Sequence, residues 1–166
     1  MTTLTALRQA MTDFLAAAGI QAVTAWPTGR REARKEPVAV VQVKEVEAGA
    51  AGFQNYLGQV YDSGARRWTE KYGQRVTVKF VIALYSPERA GEEGCQRLLD
   101  QVAEALLRGG PGGFAVEKWS AGETAFDGAS GMFRGKLQAV CRGTLVATTE
   151  ETGEITGFAV KGDVVL

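Results

Sequence analysis

The stretch Tyr72 to Tyr85, YGQRVTVKFVIALY, constrains this chain more than any other. In an extended backbone Val76, Val78, Phe80, Ile82 and Leu84 fall on one side, and Thr77, Lys79, Val81, Ala83 and Tyr85 on the other. A period of two carried by β-branched and aromatic side chains predicts a β-strand. One face is wholly apolar and the other is polar early and apolar late, the pattern of a central strand. Ser86-Pro87-Glu88 follows, and then a helical pattern from about Glu92 to Arg108, in which Cys95, Leu98, Leu99, Val102, Leu106 and Leu107 make one stripe. Strand and helix each supply the core face that the other lacks.

The remaining periodicities fill out an α+β chain. Leu4, Leu7, Met11, Phe14, Leu15 and Ala18 predict a first helix over Thr3 to Ala18, with Thr2 or Thr3 as its cap and Gly19 as a left-handed C-terminal stop. Short strands are expected at Ile20 to Trp26 and Val38 to Val46. From Glu47 to Lys71 an irregular segment or short strand is expected, with a turn at Asp62-Ser63-Gly64. The glycine-rich run Gly109 to Gly113 follows a helix and lacks the Lys-Ser/Thr pair of a phosphate loop, so it is read as a turn. Phe114 to Ser120 is a further strand and Gly122 to Gly131 a loop, with Phe126 tucked inward. Met132 to Thr148 reads as a long strand with Phe133, Leu137, Ala139, Cys141 and Leu145 inward and Arg134, Lys136, Gln138, Arg142 and Thr144 outward. Ala139 and Gly143 are small enough for a helix to lie close. Ile155 to Lys161 is the last strand, and the VVL tail is apolar. The expectation is one domain over residues 1–166: a mixed, mostly antiparallel sheet with two helices packed on one face.

Composition bounds the function. With 166 residues, 45% hydrophobic and 23% charged, the chain suits a single soluble globular domain. Nineteen basic residues balance nineteen acidic ones, so no global field steers it to nucleic acid or to an anionic membrane. No run approaches the roughly 18 apolar residues of a membrane span, and the N-terminus lacks the pattern of a signal peptide, so a cytoplasmic protein is expected. Cys95 and Cys141 fall on predicted core faces and read as buried reduced thiols, although a disulfide is possible.

Candidates for chemistry are few. There is no histidine, which removes the commonest general base and metal ligand. No Cys-x-x-Cys pair occurs. Glu92 and Glu93 diverge by about 100° on a helix and read as first-turn acids that favour its dipole. No GxSxG elbow is present, and Cys141 has no basic activator nearby in sequence. Neither an enzyme nor a cofactor or metal is expected. Two clusters read instead as contact material. Arg30, Arg31, Arg34 and Lys35 form a basic loop suited to phosphate or an acidic partner, or simply a solvated surface. Phe53, Tyr56, Arg66, Arg67 and Trp68 mix aromatics with arginine as protein interfaces do. They could also stack on bases, or Phe53, Tyr56 and Leu57 could serve the core. Zero net charge makes a nucleic-acid module the lesser reading.

The segment Phe53 to Leu107 resembles the tail terminator, or tail-completion, family of long-tailed phages and prophages. The resemblance rests on Tyr56-Leu57-Gly58 after an aromatic, on Glu70, Tyr72 and Gly73 leading into the long strand, and on the Leu84-Tyr85-Ser86-Pro87 step into a helix. It covers about a third of the chain. It implies a small α+β fold in a hexameric homo-oligomeric ring that caps the tail tube, ends its polymerisation and joins tail to head. The partners implied are the tail tube protein and head–tail connector proteins. The implied location is the tail of a virion assembled in a bacterial cytoplasm. The resemblance brings no catalytic residues, and a baseplate or other minor tail component fits the same residues.

Overall fold

The computed structural model describes residues 3–25, 35–149 and 155–161. The order is α1 (Thr3–Ala17), β1 (Ala22–Val23), β2 (Val38–Ala50), β3 (Tyr56–Asp62), β4 (Arg67–Pro87), α2 (Gly91–Arg108), β5 (Ala115–Ala121), β6 (Ala125–Asp127), β7 (Met132–Thr149) and β8 (Ile155–Lys161). All eight strands join one sheet along the path β1-β2-β4-β7-β5, with β3 beside β4 and with β6 and β8 beside β7. The β1–β2 pair is parallel and the others are antiparallel. This is the α+β arrangement expected from the sequence, with both helices on one face.

Strand β4 is the axis. Its 21 residues pair with β2 from Tyr85 to Gln74 and with β7 from Pro87 to Lys71. Val76, Val78, Phe80, Ile82 and Leu84 are fully buried against Leu7, Met11 and Leu15 of α1 and Leu98, Val102 and Leu106 of α2. Each such side chain contributes about 1.5–3 kcal/mol by leaving water, so this layer dominates the fold. The β7 residues Leu137, Ala139 and Cys141 lie in the same layer. Helix α1 stops as its sequence dictates: Gly19 takes φ +81°, and the amides of Gly19 and Ile20 donate to the carbonyls of Ala16 and Leu15. Both cysteines are free and buried, and burial pushes the Cys141 thiol up to about 12.

Several expectations change. The strand expected at 20–26 is confined, among the described residues, to Ala22–Val23. The segment 47–71, expected to be irregular or a short strand, instead extends β2, forms β3 and begins β4. The 122–131 loop contains β6, and Phe126 is exposed, stacked edge-on against Phe133 at 5.4 Å. Leu4 and Leu107 point to solvent at the margins of their stripes, and Thr144 is buried although its face was expected to be wet. Gly143 makes room for the ring of Phe114, not for a helix: a Cβ there would lie 2.6 Å from Phe114 Cδ1. Gly135 is the glycine of β7 that faces α2, with Cys95 Sγ 3.2 Å from where a Cβ would stand.

Gly143→Ala is therefore expected to destabilise the protein by about 1–3 kcal/mol, the usual cost of overpacking a filled core. Adding Phe114→Leu should recover part of the loss. Urea titration of the single and double variants measures both effects, and an unaltered midpoint for Gly143→Ala would contradict this packing.

Candidate functional site

The second half of the β2–β3–β4 hairpin runs on beyond the helices as an arm. At Phe53–Asn55 the chain makes a tight turn with φ +51° at Gln54 and +62° at Asn55, and Gly58 (φ +122°) accommodates a bulge. β3 then rejoins the edge of β4, from Tyr56↔Tyr72 to Asp62↔Arg67. The reversal at 63–66 is held by Asp62, whose Oδ1 accepts from the amides of Gly64 (2.9 Å) and Ala65 (3.1 Å). Those two amides, Ala65 first, hold the Asp62 carboxyl below the usual carboxylate range.

Because β4 pairs with β7 without a bulge, Trp68, Glu70 and Tyr72 lie on the same face as Val76 to Leu84. The core face thus continues into the arm, where neither helix covers it. Tyr72 stacks edge-on against Tyr56 (5.6 Å) and Trp68 against Tyr61 (5.4 Å). Glu70 ties the two pairs together: its carboxylate accepts from the Tyr72 hydroxyl at 2.6 Å and from Gln59 Nε2 at 3.4 Å. The bond to Glu70 raises the Tyr72 pKa. Each ring pair contributes about 0.5–1.5 kcal/mol beyond its burial. That matters in a two-stranded ribbon, which is marginal on its own. The opposite face exposes Val60, with Leu57 laid over Gly73.

The arm collects five of the residues singled out in the sequence. Phe53 is 88% exposed and Trp68 62%, and Tyr56 is also exposed, so none of them serves the core. Arg66 occupies the tip with φ +52°, and Arg67 faces Asp62 across the ladder. Of the basic loop, Arg30, Arg31 and Arg34 lie outside the described residues. Lys35 sits at the other end of β4, where its carbonyl accepts from Arg89 Nη2 at 3.3 Å. The basic loop's described end and the aromatic cluster are therefore not one site but two ends of the molecule. Sequence reading missed Tyr61, Glu70 and Tyr72 as members of the arm. The available signal was Asp-Ser-Gly flanked by alternating aromatics, a hairpin pattern. Among the described residues no three His, Cys, Asp or Glu side chains are grouped to share a metal.

No protein-family model matches the sequence, and no curated protein matches it. Among solved structures, the chain is similar to the sheath/tube terminator of an extracellular contractile injection system, PVC, in its extended state, with a TM-score of 0.46 and 11% identity. The likeness covers 100% of this chain and 62% of that one, so this chain spans less than two thirds of that neighbour's length.

Asp62 stabilises the arm only when ionised. Its folded pKa is depressed, so its contribution is complete above the pKa of an unfolded aspartate and is lost as pH falls through the folded value. Amide exchange at Gly64 and Ala65 should therefore speed up, relative to Val78, below about pH 4, and in Asp62→Ala at all pH values. Equal protection in that variant would contradict the role given to the carboxylate.

Proposed function

We propose that this protein is a structural component of a phage-type tail, of the terminator kind. Its copies close into a ring, hexameric as in the family its sequence resembles, that caps the tail tube, stops its growth and meets the head–tail connector. The protein acts through surfaces, not as a catalyst, and needs no cofactor. Its place is the tail of a virion assembled in a bacterial cytoplasm.

The arm is the observation that carries this reading. A ring requires a heterologous contact that repeats and closes. An uncovered continuation of the core face bearing Tyr56, Tyr61, Trp68 and Tyr72 is the kind of aromatic anchor that such contacts use. Arm and Lys35 end lie at opposite ends of β4, which supports two distinct partners, one at each face of a ring. The resemblance of Phe53 to Leu107 to tail terminators supplies the identity of the assembly.

Three experiments test the reading. Inactivating the gene in a strain that carries it with its tail genes should give tails of irregular length without heads, and tails of normal length joined to heads would refute the role. The double variant Tyr61→Ser/Trp68→Ser should melt within a few degrees of the parent yet shift self-association, followed by light scattering, to at least tenfold higher concentration. Replacing Arg30, Arg31, Arg34 and Lys35 by Ser should leave that association intact and impair joining; normal joining would remove the basic loop from the account.

A further inference from the structure

We infer that the sheet face turned away from the helices binds the phosphate backbone of duplex DNA. Zero net charge conceals an uneven distribution. Along β4 this face carries Arg67, Lys71, Arg75 and Lys79, one cation every fourth residue, with Thr69, Gly73 and Thr77 between them. At about 3.3 Å per residue the cations stand roughly 13 Å apart. The neighbouring strands widen the stripe: Arg142 lies beside Thr77, Lys118 lies beside Val140 next to Lys79, and Lys136 lies beside Ala83.

Two adjoining depressions, of about 420 and 580 Å³, follow this surface. Lys44, Lys79 and Lys118 line one, and Arg75 and Arg142 the other. Glu45 and Glu47 line them too, and Glu45 pairs with Lys79 at 2.5 Å. Glu117 pairs with Arg142 at 2.9 Å. Arg75, Lys118 and Lys136 have no carboxylate partner among the described residues and are exposed. The surface therefore keeps a surplus of cations.

The chemistry of the face selects among polyanions. Protein contacts are anchored by buried aromatic and apolar groups and are depleted in lysine. Here the middle of the face offers Val81 and Val140, both half-buried in the sheet, and one indole, Trp119, partly exposed where it lines the smaller depression. Single strands are held by stacking successive bases on several exposed aromatics; this face has Trp119 alone beside its cations, and the ring pairs of the arm lie on the other face. Cations interspersed with the hydroxyls of Thr69, Thr77 and Ser120 are groups that contact phosphates without reading bases. The inference goes beyond the ring reading and stands without it, because it concerns the opposite face from the aromatic ladder.

The test is fluorescence anisotropy of the full chain with a 30-base-pair duplex, repeated with a single strand and with polyglutamate. For about three phosphate contacts, affinity should fall about 40-fold between 50 and 200 mM salt. Arg75→Gln/Lys118→Gln should weaken binding at least tenfold and flatten the salt slope by about two contacts, with an unchanged melting temperature. Tyr61→Ser/Trp68→Ser should leave DNA binding as it was, whatever it does to self-association. Absence of duplex binding at 50 mM salt, or an affinity unaltered in Arg75→Gln/Lys118→Gln, would overturn the inference. Equal affinity for polyglutamate would overturn it in favour of an acidic protein partner, and tighter binding of the single strand would overturn the duplex assignment.

Discussion

Strand β4 is longer than the helices that cover it, and the rest of the structure depends on that mismatch. A strand's side chains alternate with a period of two. Once Val76 to Leu84 are committed to the core, Trp68, Glu70 and Tyr72 must emerge on the same side, where α1 and α2 no longer reach. An apolar face left open would be an aggregation hazard in most proteins. Here it is organised: the rings pair edge to edge, and Glu70 accepts hydrogen bonds from both strands. An arm rooted so firmly in the core presents its aromatics in a fixed geometry, which lowers the entropy lost when a partner covers them.

The two faces of the sheet have different physical characters. One is apolar beneath the helices and continues along the arm as aromatic rings with Gln74, Glu70 and Gln59 between them, a mixture that suits a protein contact anchored by the rings. The other alternates cations with hydroxyls and suits a contact whose strength varies with salt. At the α2 end it is closed off by Val38, Val40, Ala83, Tyr85 and Met132, with the Arg134 guanidinium 5.7 Å from the Tyr85 ring. A single strand, β4, sets both characters through its even and odd positions, so a one-residue slip of register would exchange them.

Most of the fold was legible in the sequence because long periodic segments report their own burial. The period-two run of β4, the stripe of α2 and the alternation of β7 each specified an element and its inward face, and Gly19 specified a helix end. The arm was not legible, for local reasons. The positive φ angles at Gln54 and Asn55 and the bulge at Gly58 break the alternation just where β3 begins. Its exposed aromatics also look, in sequence, like core residues. Gly143 announced a close approach but not the partner, since Phe114 comes from a segment 29 positions earlier. Net charge was the least informative quantity, because it sums over faces that only the pairing of β4 with β2 and β7 separates.

Electron cryo-microscopy of the protein mixed with the tail tubes that the proposed role requires bears most directly on the arm. The expected image is a closed ring seated on the tube end, with Tyr61 and Trp68 of each copy buried against the neighbouring copy or the tube. A ring in which these rings remain in solvent, or tubes whose ends stay bare at saturating protein, would contradict it.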